Sequence, residues 1–366
     1  MDPFTPADCE YMARALRLAR RGMYTAHPNP RVGCVLVKEG HIIGEGWHRR
    51  TGEAHAEIAA LEDAGGDAKG ATAYVTLEPC SHQGKTPPCT DALIAAGVQH
   101  VVAAMTDPNS KISGNGHSAL EDAGISVRTG LLQDAAAALN AGFLSRMQRG
   151  RPFVRLKIAA SLDGKTAMSN GESQWITGEA ARDDVQRLRA ASGAVTVGIG
   201  TVLGDDPSLT VRRDDIDNDG MQPLRVVLDS KLRMPASARM LGLPGATTVF
   251  CTDDTDRGPL EAAGASIHLV GVQDDGVDLA AVMNKLADLE INDVLVEAGP
   301  TLAGSMLASG LVDELVIYQA PHIMGSETRA MFTTPEWQTI DQRLQVEIAD
   351  VRKIGADLRI TARPVR

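Results

Sequence analysis

Four residues near the amino terminus have the types and spacing to do chemistry: His55 and Glu57 in His55-Ala-Glu57, and Cys80 and Cys89 at the ends of Cys80-Ser-His-Gln-Gly-Lys-Thr-Pro-Pro-Cys89. An imidazole and two thiolates form a zinc set, and three protein ligands leave the fourth tetrahedral position open for a water whose pKa falls to about 7 on the metal. Glu57, two residues beyond the histidine, is a carboxylate placed to carry protons without ligating the ion. Such a set predicts hydrolytic deamination. Two other arrangements use the same side chains: a closed structural knot, with His82 or Cys34 as fourth ligand, or two simply buried thiols. Cys34 lies in the apolar run Val32-Gly-Cys-Val-Leu-Val37, which reads as a core strand. Neither arrangement has a use for Glu57, so the open site is expected.

A layered scaffold must deliver those side chains. Between Asp8 and Arg21, Met12, Ala15, Leu16 and Ala19 alternate with Arg14, Arg17, Arg20 and Arg21 at helical spacing, the pattern of an amphipathic helix with a solvated basic face. Residues 31–38 and 41–47, joined by Glu39-Gly40, predict a hairpin. Residues 54–64 predict a helix with His55 and Glu57 in its first turn, and 71–77 a strand that delivers Pro79 and Cys80 to the start of a helix ending near Ala96. Both halves of the ligand set are therefore expected at helix N-termini, where the dipole favours thiolate over thiol. Strands at 100–105 and 124–128, with a helix at 118–123 between them, complete an α/β/α domain with a mixed sheet.

A helix over 133–147 leads into Arg149-Gly-Arg-Pro152, where glycine and proline mark a junction. Beyond it, strands at 153–159, 194–199, 224–229, 247–251 and 293–297 alternate with helices at 179–189 and 278–289, which implies a mostly parallel α/β sheet. Residues 344–351 and 357–361 predict a closing hairpin, and 205–222 a charged loop. Val296-Glu-Ala-Gly-Pro-Thr-Leu-Ala-Gly-Ser305 is a strand, a glycine turn and a helix start, which presents backbone N–H groups to phosphate oxygens. It lacks the G-x-G-x-x-G fingerprint, so a Rossmann domain is disfavoured, and by itself such a turn is more often plain glycine geometry than a phosphate site.

Composition narrows the partners. At 366 residues about two domains are expected. The net charge of -11 divides as -2 over residues 1–150 and -9 over the rest, and only 3% of residues are aromatic. Nucleic acid is excluded, because phosphate neutralisation and base stacking are both poorly supplied. No apolar run has the length of a membrane span, five cysteines are too few for a disulfide framework, and the opening residues lack a secretory pattern. A cytoplasmic protein is expected.

In order along the chain, His27-Pro-Asn-Pro30 with Val32-Gly33, His55-Ala-Glu57 and the Cys80–Cys89 run, then Ser161-Leu-Asp-Gly-Lys-Thr-Ala167, Ser173-Gln-Trp-Ile-Thr177, Thr201-Val-Leu-Gly-Asp-Asp-Pro207 and Val296–Gly304, resemble the bifunctional deaminase-reductase family of riboflavin biosynthesis. The resemblance spans nearly the whole chain, and the long cysteine spacing is far more specific than His-Ala-Glu, which occurs across the cytidine-deaminase-like superfamily. It implies a cytidine-deaminase-like domain over residues 1–150 and a dihydrofolate-reductase-like α/β domain over 151–366. Zinc, one ion per chain, and NADPH would be the cofactors. The substrate would be a phosphoribosylaminopyrimidine, whose 2-amino group is hydrolysed before its ribosyl group is reduced to ribityl.

Residue by residue, the resemblance implies His55, Cys80 and Cys89 as zinc ligands, Glu57 as proton carrier, and Asn29, His82 and Lys85 as substrate contacts. For Asn29 an Asx turn before Pro30 is an equal explanation. Ala159, Trp175, Thr201, Asp205 and the stretch Gly299, Pro300, Thr301, Leu302, Ala303, Gly304 and Ser305 would face the nicotinamide cofactor; Ser173, Arg189, Leu209, Arg212 and Glu297 would face the substrate. Planar guanidinium groups bind phosphate bidentately, which gives Arg189 and Arg212 a physical case, although without the resemblance Arg189 reads as a helix-surface charge. Lys157 and Asp205 are candidates for the proton that ring opening demands. Ser230, beside Lys231 and Arg233 at a strand end, is expected to take the 2'-phosphate of NADPH. A small-molecule enzyme without nucleic-acid or membrane partners is expected, as a homodimer or larger assembly.

Overall fold

The computed structural model describes residues 3–83, 87–109, 112–253, 255–273 and 276–365. Two compact units divide the chain, Met1–Gly150 and Arg151–Arg366. Gly150 ends the last helix of the first unit at φ 67°, a left-handed cap that glycine adopts without a Cβ penalty.

The first unit runs α1 (Pro6–Ala19), β1 (Gly33–Lys38), β2 (His41–Trp47), α2 (Ala56–Asp63), β3 (Thr72–Val75), α3 (Cys89–Ala95), β4 (His100–Ala103), α4 (Asn115–Asp122), β5 (Ser126–Thr129), α5 (Gln133–Leu139) and α6 (Ala141–Arg149). Its sheet has the order β2-β1-β3-β4-β5. β1 is antiparallel to β2 and β3, and the remaining pairs are parallel, so the sheet is mixed. Side chains alternate across β1: Val35 and Val37 join Met12, Leu16 and Tyr74 on one face, while Cys34 and Leu36 join Ala60, Val75 and Leu93 on the other. α2 lies unusually close on β2, because a Cβ at Gly44 would stand 2.2 Å from Ala60 O and one at Gly46 2.3 Å from Ala56 O. Those two glycines set the height at which His55 and Glu57 emerge. The helix expected over 133–147 is two helices, broken at Asn140, whose side chain accepts from Arg31 N at 2.8 Å and donates to Arg31 O at 3.0 Å.

The second unit runs β6 (Phe153–Ser161), β7 (Lys165–Ala167), α7 (Glu179–Ala190), β8 (Ala194–Gly198), α8 (Ile199–Asp205), β9 (Leu224–Leu228), β10 (Thr247–Cys251), α9 (Gly258–Ala262), β11 (Ala265–Leu269), β12 (Val272–Gln273), β13 (Gly276–Val277), α10 (Leu279–Asp288), β14 (Asp293–Glu297), α11 (Pro300–Ala308), β15 (Glu314–Ala320), β16 (Arg329–Ala330), β17 (Val346–Ile354) and β18 (Asp357–Pro364). Nine strands form one sheet in the order β11-β10-β9-β8-β14-β6-β15-β18-β17. It is parallel from β11 to β15 and closes with the antiparallel β18 and β17. The chain leaves β6 for β8, winds outward to β11 and returns as β14 between β8 and β6, so the strand order reverses at β14. In open α/β sheets such a reversal opens a crevice beyond the strands' carboxyl ends. β15 is not anticipated from sequence; buried on both faces, it has no clear polar alternation to mark it.

Candidate active sites

His55 is the N-cap of α2, and Glu57 sits in its first turn. Cys89 is the first residue of α3. Cys80 departs from expectation: it lies in irregular chain, and the helix begins only after Pro87 and Pro88, whose rings remove two N–H donors. The helix start still reaches it, since Cys89 N donates to Cys80 Sγ at 3.4 Å and Thr90 N to Cys80 O at 3.2 Å. His55 Nδ1 lies 3.2 Å from Cys89 Sγ and 3.5 Å from Cys80 Sγ, and the three ligand atoms all fall within 4.8 Å of one another. Tetrahedral zinc with ordinary bond lengths needs nitrogen and sulfur about 3.5 Å apart, so this donor set fits the ion. Among the described residues, neither His82, which is exposed, nor Cys34, buried in β1, joins the cluster.

The electrostatics suit the same ion. The bond with Cys89 brings Cys80 down to about 4, and its partner Cys89 is driven far above the ordinary thiol value by that bond to Cys80. A divalent cation takes the place of such a shared proton. Glu57 is 3% exposed, and burial, reinforced by the charge on Cys80, pushes its carboxyl up to about 7. A buried carboxyl poised there both takes and gives a proton at neutral pH.

Two neighbours escaped the sequence reading. Asn29 Nδ2 donates to His48 Nε2 at 3.0 Å, and His48 Nδ1, 3.1 Å from Ala54 O, carries the proton that this carbonyl accepts. Burial lowers the His48 pKa and keeps the ring neutral, and it packs edge-on against the ring of His55. Asn29 is thereby held beside the ligand set through a histidine that no sequence pattern marks. Glu78 is the other; its buried carboxylate accepts from the backbone of Asp107, Gly114, Gly116 and His117. Lys85 lies outside the described residues.

In the second unit, Lys157 and Glu297 are register partners on the adjacent strands β6 and β14. Arg189 of α7 meets Glu297 with both arms of its guanidinium, Nε to Oε1 at 2.6 Å and Nη2 to Oε2 at 3.0 Å, and its Nη1 donates to Thr210 O at 3.2 Å. It is not a helix-surface charge, and its fork faces a carboxylate. Burial acts to raise the Glu297 carboxyl, but Arg189, Lys157 and Arg212 together hold it below its ordinary value. Lys157 is lowered by burial and by Arg189 against the pull of Glu297. Arg212 is exposed beside this group.

The other expected residues stand on separate elements of the second unit. Thr201 and the exposed Asp205 belong to α8, and buried Leu209 follows at φ 51°. Trp175 is 68% exposed, with the Arg182 guanidinium 4.6 Å from its ring centroid, and Ser173 is half-buried nearby in sequence. Ala159 pairs with Tyr318 inside the sheet. Gly299 caps α11. Within the following turn Thr301 and Ser305 are exposed, whereas Ala303 and Gly304 are buried against protein; a Cβ on Gly304 would meet Thr333 O at 1.7 Å. Ser230 follows β9 in a turn pinned by buried Asp229, which accepts from Met234 N at 2.8 Å, with Lys231 and Arg233 exposed on it.

Comparison with known proteins matches both units. Residues 152–360 fit the RibD C-terminal domain, and residues 5–105 fit the cytidine and deoxycytidylate deaminase zinc-binding region. The riboflavin biosynthesis protein RibD of Escherichia coli (strain K12) is 50% identical over 95% of this chain and 97% of its own length. The chain belongs to the RibD family. The RibD of Haemophilus influenzae is 44% identical, covering 99% of this chain and 98% of its own. Among solved structures, Acinetobacter baumannii RibD superimposes with a TM-score of 0.93 at 45% identity, over 98% of this chain and 99% of that one. A Thermotoga maritima diaminohydroxyphosphoribosylaminopyrimidine deaminase/5-amino-6-(5-phosphoribosylamino)uracil reductase does so with a TM-score of 0.88 at 34% identity, over 98% and 99%. As a RibD protein, the chain is a bifunctional enzyme of riboflavin biosynthesis, a zinc-binding deaminase followed by a reductase that uses NADPH, and it acts on a small molecule.

Proposed function

We propose that the first unit, residues 1–150, hydrolyses 2,5-diamino-6-(5-phosphoribosylamino)pyrimidin-4(3H)-one to 5-amino-6-(5-phosphoribosylamino)uracil, and that the second, residues 151–366, reduces the ribosyl group of that product to ribityl. The single observation that carries the first step is the three-donor set of His55, Cys80 and Cys89 with a buried carboxyl two residues from the histidine. The Thermotoga maritima relative, a diaminohydroxyphosphoribosylaminopyrimidine deaminase and 5-amino-6-(5-phosphoribosylamino)uracil reductase, supports these substrates.

Zinc held by three ligands makes water nucleophilic at neutral pH. Glu57 would take a proton from the attacking water and pass it to the departing amine, and the water's second proton would go to the adjacent ring nitrogen, so that the carbon–nitrogen bond breaks, ammonia leaves and a carbonyl remains. Asn29, oriented by His48, contacts the pyrimidine, and His82 and Lys85 meet the substrate phosphate. In the second unit NADPH, when bound, would supply a hydride. Lys157, with Asp205, provides the proton that accompanies ring opening, so two hydrogens are gained overall. Arg212, the exposed guanidinium, takes the phosphate; Arg189, committed to Glu297, instead orients that carboxylate towards the ribose hydroxyls. Ser173 and Leu209 line the substrate side. Ala159, Trp175, Thr201 and the turn from Gly299 to Ser305 line the cofactor side, its buried Ala303 and Gly304 acting as packing, and Ser230 takes the 2'-phosphate.

The edge strand β17 exposes Val346, Ile348 and Val351, which supports a homodimer. Five free cysteines support a reducing cytoplasm, and among the described residues no helix is long and apolar enough to cross a membrane. The test is to incubate purified protein with the diaminopyrimidinone phosphate, with and without NADPH, and weigh the products. Exchange of NH for O without NADPH, and a further gain of two hydrogens with it, is expected; NADPH oxidation on the diamino substrate without ammonia release would refute the order.

A further inference from the structure

We propose that Glu78 is a positioning residue for the metal, holding Cys80 at ligand distance by clamping the chain before it onto the start of α4. This rests on the reading of His55, Cys80 and Cys89 as the zinc ligands. Cys80 needs such a device because it stands on neither helix nor strand. Downstream it is tied to the first turn of α3 by the Cys89 and Thr90 amides. Upstream the tie is Glu78. One carboxylate oxygen accepts from Asp107 N at 2.9 Å and Gly114 N at 3.0 Å, and the other from Gly116 N at 2.8 Å and His117 N at 3.3 Å. Four backbone donors on one buried carboxylate make charge-assisted bonds, the strongest class that main chain can offer a side chain. They join the exit of β3, where Glu78 N also donates to Met105 O at 2.9 Å beyond the β3–β4 ladder, to the turn after β4 and, with no ladder between them, to the first turn of α4.

The contact also has a backbone half. A Cβ on Gly116 would lie 2.0 Å from Pro79 O, so α4 meets the residue directly before Cys80 along a glycine surface. Both halves bear on one short segment, and Cys80 is the next side chain along it. A carboxylate needed only for general stability would leave ligand placement unchanged when weakened. A positioning carboxylate would change how tightly the metal is held while the fold persists, as outer-shell partners of metal sites do.

The test compares full-length wild type, Glu78→Gln and Gly116→Ala, each expressed with zinc. Glutamine offers one acceptor oxygen where the carboxylate has two, so whichever way it turns it faces two backbone donors with an NH2 group. Zinc release to a chelator should quicken about 10-fold to 100-fold in Glu78→Gln. The visible bands of the cobalt-substituted protein should shift, and deaminase kcat should fall while KM and the reductase rate of the same chain stay near wild type. Gly116→Ala, with the carboxylate intact, should move the same readouts in the same direction. Unchanged release and an unchanged cobalt spectrum in Glu78→Gln would overturn the proposal, and so would loss of the folded N-terminal unit in both variants, which would make the contact one of general stability. A wild-type chain that holds no zinc would instead sink the metal reading, and this proposal with it.

Discussion

Replacing Glu297 by Gln should destabilise the reductase unit by about 3–5 kcal/mol at pH 7, because it removes the only anion among three close side chains. Arg189 and Glu297 form a bidentate pair whose side chains are 10% and 13% exposed, and Lys157 lies beside them. Without the carboxylate, Arg189 cannot give up its proton and stays charged in a site built around a counter-ion. Lys157 loses the carboxylate that supports its charge and can deprotonate, which cushions the loss towards the lower figure. For a unit of this size each kcal/mol moves Tm by about 2–4 °C, so the expected drop is about 6–20 °C. Calorimetry of the full chain reads it, the reductase transition being the one that NADPH raises. The pH dependence supplies the second check. Glu297 is held below its ordinary value of 4.5, so its contribution is complete above that value and is lost as pH falls through the depressed one. Glutamine has no such titration. The Tm gap between wild type and variant should therefore be full at pH 7 and close as the pH falls below 4.5 and through the depressed value. A double variant with Met at both 189 and 297 should recover much of the loss, since apolar replacement of a whole buried pair is often neutral. A gap under about 2 °C at pH 7, or one that persists undiminished into acid, would refute the reasoning.

Three further outcomes are expected. Glu57→Gln should slow ammonia release at least about 100-fold in a coupled assay while reduction of the already deaminated intermediate stays within about two-fold, and loss of both in a folded chain would contradict separate sites. Elemental analysis should find one zinc per chain, and its removal by a chelator should stop deamination but not NADPH oxidation on the deaminated substrate; equal loss of both would place the metal elsewhere. NADPH should be preferred to NADH by roughly ten-fold or more in kcat/KM, each charge-assisted bond to the 2'-phosphate contributing about 1.5–3 kcal/mol, and Ser230→Ala with Lys231→Ala should erode that ratio. An unchanged ratio would move phosphate recognition off this turn.

Much of this enzyme is legible in the order of its residues, because ligand chemistry depends on residue type and short spacing. By type and spacing alone His55, Cys80 and Cys89 suggest a metal and Glu57 a proton carrier, glycine and proline at 150–152 suggest a junction beside the split at Gly150, and the period of apolar residues predicts most helices and strands. Long-range partners leave no such trace. That Glu78 gathers amides some thirty to forty residues away, that His48 holds Asn29, and that Asn140 breaks a helix to bind the Arg31 backbone are set by which segments the sheet brings side by side. Pro87 and Pro88 delay α3 to Cys89, a local rule overlooked when the helix is started at Cys80. Arg189 makes the point most plainly. Its sequence neighbours describe the outer face of a helix, and only the return of β14 between β8 and β6 places Glu297 under it, turning a solvated charge into half of a buried pair. Sequence determines what each side chain is able to do; which groups face each other, and at what dielectric, belongs to the topology, because burial and pairing are properties of neighbours in space.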